Sequence, residues 1–252
     1  MCTASWAHQE NGYTLFFNRD ELRTRKIARP PEVRSIRGVR FIAPIDTDAH
    51  GSWIGVNEFG ISICLLNYYH SNFQRDPEKN YTSRGRLLLS LMKSVNQSAV
   101  VDRLTETRLT DFPPFIVAVL EPGKPVMTFT WPGTPEDLWI NPSADCPLSS
   151  SSFDSVNVIG GRKELYAAQF PENHPADLQR MQAFHKSHAP EASAYSVCMH
   201  RDDARSVSLS RIAVSEKAIE FQYAPGAPCE TEFLPGIRLK RQSKPVSVQK
   251  TA

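Results

Sequence analysis

Two short runs rich in apolar and aromatic residues open the chain, at 3–8 and 13–17, on either side of Glu10-Asn11-Gly12. Asn-Gly is the strongest short hairpin signal, because both central residues of the favoured two-residue turn must accept positive φ. The pattern therefore predicts an opening β-hairpin. The basic, Pro-containing stretch 22–40 reads as a long loop beside it. Segments 52–56 and 61–67 flank the turn Asn57-Glu58-Phe59-Gly60 and predict a second hairpin. Apolar residues at three- and four-residue spacing predict helices over 85–94 and 98–109. Strands are expected at 115–120 and 126–131, helices at 165–170 and 176–185, and strands again at 195–199, 207–214 and 218–223. This order of strands, helices, strands, helices, strands fits an α+β fold of two stacked antiparallel sheets with helices outside. It disfavours a parallel βαβ arrangement.

A length of 252 residues with 40% hydrophobic content suits one large domain, taken as 1–240, with a loose tail at 241–252. Lys plus Arg (29) nearly balance Asp plus Glu (27), for a net charge of +2. That gives no electrostatic reason to expect nucleic acid or an anionic membrane as partner, and a small molecule fits better. Homo-oligomerisation is left open. With no run of 18 apolar residues and no secretory-signal pattern at the start, a cytoplasmic location is expected. The five cysteines lack C-x-x-C spacing and read as free thiols rather than a disulfide framework.

Cys2 follows the initiator Met. Removal of Met1 would place a thiol and a free α-amine on one residue. An α-amine with a pKa of ~7.7–8.0 is partly unprotonated at neutral pH and can take the thiol proton without a His or Asp partner. If Asn11-Gly12 forms the two-residue turn, Cys2 lies opposite Glu21, Thr3 opposite Asp20 and Ala4 opposite Arg19. The tetrad Asn18-Arg19-Asp20-Glu21 then lands beside the thiol, with Arg19 a diagonal neighbour ~7–8 Å away on the same face. An Arg there can lower the thiol pKa or hold a substrate carboxylate, and an acid can orient the α-ammonium.

Met1-Cys2-Thr3 followed by Leu15-Phe16-Phe17-Asn18-Arg19-Asp20-Glu21 resembles the opening of the NRDE family, named for that tetrad, which includes the animal transport and Golgi organisation proteins. The second hairpin, Trp53-Ile54-Gly55-Val56-Asn57-Glu58-Phe59-Gly60 running to Leu65-Leu66-Asn67-Tyr68, resembles both that family and the cysteine N-terminal-nucleophile (Ntn) hydrolases of the choloylglycine hydrolase and penicillin acylase group. The resemblance implies a four-layer αββα sandwich and a hydrolase of a linear amide C–N bond. It assigns Cys2 as nucleophile, Asn67 as oxyanion donor, and Arg19 with Asp20 as residues positioning the α-amine and substrate. Asn18 and Glu21 complete the tetrad as substrate-binding candidates. The stretch 148–154 resembles a Leu-Ser-Asn-Ser motif of the family, with Ser150 where Asn is expected, and His50 stands where the family pattern has Gly. The run 198–208 resembles the family's last motif and adds Arg205, with His200 nearby, to the substrate-binding candidates.

Other polar clusters admit different readings. His185, His188, Cys198 and His200 are ligand types suited to zinc or haem iron, but their spacing matches no standard zinc pattern, and neither metal nor cofactor is assigned. Ser83 is placed to cap a helix starting at Arg84, where a phosphate could also bind. A carrier for haem or a hydrophobic anion on the same fold is the alternative to catalysis.

Overall fold

The computed structural model describes residues 2–171 and 177–243. Their architecture is two antiparallel sheets packed face to face, with helices on both outer faces, as the resemblance implied. One sheet has the order β10-β1-β2-β11-β12-β13, built from β1 (Cys2–Gln9), β2 (Gly12–Leu22), β10 (Leu148–Ser150), β11 (Ala204–Val214), β12 (Ala218–Pro225) and β13 (Ile237–Lys240). The other runs in sequence order through β3 (Arg29–Ile36), β4 (Val39–Ile45), β5 (Ile54–Asn57), β6 (Ser62–Asn67), β7 (Phe115–Leu120), β8 (Met127–Trp131) and β9 (Trp139–Asn141). Alternate residues of the facing strands, among them Trp6, Leu15, Phe17, Ile54, Val56, Cys64, Leu66, Ile212 and Phe221, fill the space between the sheets.

Helices α1 (Arg84–Leu91) and α2 (Gln97–Thr105) cover the second sheet, burying Leu87, Leu88, Leu91, Val100 and Leu104 against Phe41, Ile63, Phe115 and Phe129. Helices α3 (Ser155–Gln169) and α4 (Leu178–Lys186) cover the first, where Met181 meets Phe16 and Leu209. Asn96 and Asp177 cap α2 and α4, accepting from Ala99 N (2.7 Å) and from Gln179 N (2.9 Å) and Arg180 N (3.2 Å). Ser83 occupies the position before α1, but its side chain makes no cap bond.

Four expectations are corrected. The opening hairpin pairs Gln9 with Gly12, so Glu10-Asn11 form the turn and Cys2 faces Arg19 rather than Glu21. The slip is two residues, which leaves every side chain on its expected face. Gly12 has no positive φ; a Cβ there would stand 1.8 Å from the Val214 carbonyl oxygen, so the glycine serves close approach of β11 rather than the turn. The expected loop 22–40 contains β3 and the start of β4. Its prolines sit on an edge strand, where a missing N–H costs no ladder bond, and the register shifts between Arg29 and Glu32 around them. The expected strand 195–199 forms no ladder, because side chains take its carbonyls: Arg162 bonds Tyr195 O and Ser196 O, and Asn18 bonds Val197 O.

Arg241 and Gln242, which fall in the expected tail, are held in place. Arg241 donates to Asn11 O (3.0 Å) and Ser215 O (2.9 Å), and Gln242 N donates to Glu58 O (2.7 Å), which ties the segment to both sheets. The stretch 244–252 lies outside the described residues. Among the described residues no helix is long and apolar enough to cross a membrane.

Candidate active site

The first residue of β1 sets the geometry. Cys2 pairs with Arg19 on one side and Ser150 on the other, and its side chain joins the layer between the sheets, 8% exposed. Directly opposed residues of an antiparallel pair share a face, so Arg19 and Ser150 flank the thiol. Ser150 Oγ is buried without a hydrogen-bond partner among the described residues. Burial, reinforced by the Asp20 charge, pushes the Cys2 thiol up to about 11, against the positive charge of the N-terminus first, then a hydrogen bond from the Asp20 backbone and the charge of Arg19.

Arg19 is nearly buried and fully engaged. Its guanidinium lies 4.0 Å over the Trp53 ring and pairs with Asp46 (2.7 Å) and Glu21 (3.2 Å). Asp46 also accepts from Arg25 and from the backbone of Asp48 and Ala49. Its carboxyl is held below the usual range: burial alone would raise it, but the Ala49 N–H and the two arginines prevail.

Asp20 points through the other face of the sheet. It accepts from Ser206 Oγ (2.6 Å) and sits 3.6 Å from Arg162 Nη1. Arg162, 1% exposed on α3, also donates to Thr3 Oγ1 (2.7 Å) and Ser196 O (2.7 Å). Sequence reasoning missed this residue, since nothing in the helix pattern marks one arginine as the buried one. Asn18 turns to the same outer side, donating to His185 O (2.9 Å) and Val197 O (3.0 Å) and facing His185 Nδ1 at 3.0 Å.

An open cleft of about 490 Å³ lies at this end of the sandwich. Its wall holds Cys2, Arg19, Asp20, Glu21 and Asn67 of the expected site, together with Tyr69, Arg75, Ser83, Arg84, Gly85, Met199 and Arg201. Asn67 closes β6, and its Nδ2 donates to the Tyr69 hydroxyl (2.7 Å), a partner the sequence did not reveal. Asn18, Ser150, His200 and Arg205 are not on the wall; Arg205 pairs with Glu21 in the ladder between β11 and β2. His50 adopts φ of 55°, the left-handed region, which accounts physically for a glycine pattern at that position. Beside it Gly51 packs so close to Gly85 that a Cβ would stand 2.4 Å from backbone, bringing the start of α1 to the cleft.

The sequence profile of the family described as Transport and Golgi organisation 2 matches residues 1–215. The chain belongs to that family. No curated protein sequence matches it significantly. Among solved structures, this family member is similar to a single-substitution variant of conjugated bile acid hydrolase from Clostridium perfringens (TM-score 0.52, 13% identity, 100% of each chain covered). It is similar as well to an N-acylethanolamine-hydrolyzing acid amidase orthologue of Caenorhabditis elegans (TM-score 0.51, 12% identity, 93% of this chain and 100% of that one). Penicillin V acylase from Agrobacterium tumefaciens gives a TM-score of 0.50 at 11% identity over 88% of this chain and 82% of that one. These likenesses establish the Ntn-hydrolase sandwich; at such identity they speak to fold alone.

Proposed function

We infer that the protein is a cysteine amidohydrolase whose nucleophile, Cys2, becomes the N-terminal residue on removal of Met1, and that its substrate is a small acyl amide bearing an anionic group. The observation that carries this reading is the placement of Cys2 at the head of a central strand, flanked by Arg19 and facing a cleft that also holds Asn67. In this reading the Cys2 sulfur attacks the amide carbonyl carbon while its own α-amine takes the thiol proton. A thiol raised by burial needs that proton removed in step with attack. Asn67, with Tyr69 behind it, stabilises the oxyanion. The C–N bond breaks as the leaving nitrogen takes the proton, and water then hydrolyses the thioester to release the acid and restore the thiol.

The charge pattern supports an anionic substrate. Arg19 is already neutralised by Glu21 and Asp46, so it holds the site's shape rather than a ligand. Arg84 and Arg75 reach the same cleft and form no ion pair among the described residues; Arg84 donates to Pro114 O (2.9 Å), and Arg75 lies 5.5 Å over the Tyr81 ring. They are the side chains available to a carboxylate.

The test is a pair of fluorogenic amides sharing the aminocoumarin leaving group, one succinylated and one acetylated, with intact mass read in parallel. Wild type should begin at Cys2, release aminocoumarin preferentially from the succinyl substrate, and carry an acyl adduct that Cys2→Ala lacks. Arg84→Gln should raise KM for the succinyl substrate alone. Retention of Met1, or equal turnover by Cys2→Ala, would remove the mechanism; ligand uptake that survives Cys2→Ala without any turnover would instead identify a carrier.

A further inference from the structure

Beside the cleft-wall residues Met199 and Arg201, four side chains converge: His188, Cys198 and His200 of the segment between α4 and β11, and Cys229 of the loop between β12 and β13. His188 Nε2 and His200 Nε2 are 3.1 Å apart, and His200 Nε2 is 3.6 Å from Cys198 Sγ and 3.5 Å from Cys229 Sγ. All four ligand atoms lie within 4.8 Å of one another.

These separations can be compared with the edges of a coordination tetrahedron. With Zn–N of about 2.05 Å and Zn–S of about 2.3 Å, ideal tetrahedral angles give edges of about 3.3 Å for N···N, about 3.5 Å for N···S and about 3.8 Å for S···S. The three edges that meet at His200 Nε2 fall within a few tenths of an ångström of these values, and the remaining separations, none above 4.8 Å, would contract by side-chain rotation as an ion bound. Hydrogen bonds alone account for such separations, but two imidazoles and two thiols gathered at one point are a mixed nitrogen and sulfur donor set that suits a tetrahedral d10 ion. We propose that His188, Cys198, His200 and Cys229 form a binding site for one zinc-class divalent ion.

The chemistry balances. Binding one divalent cation displaces the two thiol protons to solvent and leaves both imidazoles neutral, so the loaded cluster carries no net charge. The backbone is already fixed to receive it: Cys198 N donates to Ser187 O (3.0 Å), His200 N to Ser193 O (3.1 Å), and His200 forms a bridge with Arg205. Cys198 is fully buried while the two histidines and Cys229 are partly exposed, which leaves the ion a route in. The ion would staple both ends of the segment between α4 and β11 to the loop between β12 and β13. Between two of its ligands, Met199 N donates to Ser206 Oγ (2.9 Å), the hydroxyl that in turn donates to Asp20. A filled site would therefore rigidify the support beneath the tetrad.

Reduced, metal-free protein titrated with Co(II) tests this directly. One equivalent should produce thiolate-to-cobalt charge transfer and tetrahedral visible bands, bleached by one equivalent of Zn(II). Cys229→Ser should halve the charge-transfer intensity and weaken binding at least tenfold, His188→Ala should weaken it similarly, and Cys146→Ser, a thiol outside the cluster, should change nothing. Protein purified with zinc present should retain one equivalent through gel filtration. Absence of stoichiometric uptake by folded wild type, uptake unchanged in Cys198→Ser/Cys229→Ser, or a Cys198–Cys229 disulfide in the zinc-purified protein would overturn the proposal. Wild-type spectra decide the matter even where a variant fails to fold, and the Cys2→Ala protein, expected to bind as wild type does, separates this site from the catalytic reading.

Discussion

Acid should destabilise this fold well before its carboxylates titrate, through one histidine. His185 is wholly buried between α4 and the first sheet, stacked on Phe16 with ring centroids 5.6 Å apart, its Nε2 2.7 Å from Ser5 Oγ and its Nδ1 3.0 Å from Asn18 Oδ1. Burial first, then the Arg162 charge, pushes its pKa down from 6.5 to about 3. Between those values the unfolded ring binds a proton that the folded ring refuses, so stability falls as pH drops through 6.5 toward 3. Each pH unit is worth about 1.4 kcal/mol once the unfolded ring is fully protonated, giving a loss of about 2 kcal/mol at pH 5 relative to neutrality. For a domain of this size that is about 4–8 °C in Tm. Asp46, depressed from 3.8, contributes stability that is lost as pH falls below that value, under the pH 7.5–5 range in which His185 is assayed. The assay is urea unfolding of wild type and His185→Gln at pH 7.5, 6 and 5. The variant should be less stable at pH 7.5, and the gap should close by about 2 kcal/mol at pH 5, because the other histidines are common to both proteins and cancel. A gap that stays constant over this range would refute the argument that His185 is held neutral.

Three further outcomes follow from buried polar contacts and close approach. Arg162→Met strips the guanidinium from Thr3, Ser196 and Asp20 and should cost about 3–5 kcal/mol in urea unfolding, with Arg162→Lys recovering little because an ammonium lacks the fork geometry. Gly12→Ala, which drives a methyl into the Val214 carbonyl, should lower stability by about 1–3 kcal/mol or more, read as a fall in Tm. Asn57→Ala removes bonds to Met92 O, Ser94 O, Phe59 N and Ile61 N at once and should cost several times the roughly 1 kcal/mol of one hydrogen bond, with earlier hydrogen exchange in the 57–60 turn.

What the chain disclosed in advance was whatever local pattern determines. The second hairpin, β7, β8, β11 and β12 follow from alternation and turn chemistry, and the resemblance carried the sandwich. Even the register slip at Glu10-Asn11 left the facing of Cys2 and Arg19 intact, since a shift of two preserves strand parity. The failures are long-range. β3 hides behind Pro30-Pro31 because only its edge position makes them tolerable. Residues 195–199 carry strand composition, yet Arg162 and Asn18 claim their carbonyls from elements far away in sequence. α3 begins at Ser155, ten residues before the expected start, because Gly160 and Gly161 mask its pattern while lying in open space where they cost only propensity. Of the ligand cluster, His188, Cys198 and His200 were legible as donor types in one stretch of chain, whereas Cys229 joins them from the loop between β12 and β13 and His185 turns away to Ser5 and Asn18.

The tetrad itself shows why a run of four polar residues can occupy a central buried strand. Side chains alternate across the sheet, so Arg19 and Glu21 enter the cleft layer while Asn18 and Asp20 enter the helix layer. Each pair finds partners that local sequence does not supply: Trp53 and Asp46 from the second sheet on one side, α3, α4 and the 195–199 segment on the other. Unpaired, any of these groups would cost several kcal/mol on burial, so the tetrad fixes the spacing of three layers as much as it furnishes chemistry. Cys2, the proposed nucleophile, stands where those layers meet, with Arg19 opposite it. Mutating Asn18 or Asp20 therefore perturbs Cys2 from behind, through the sheet, whereas mutating Arg19 or Glu21 perturbs the cleft directly. Both kinds of loss lower stability, since removing Arg19 leaves the Asp46 carboxylate without its closest buried partner, but only the second should also change the kinetics of the proposed reaction in the folded fraction.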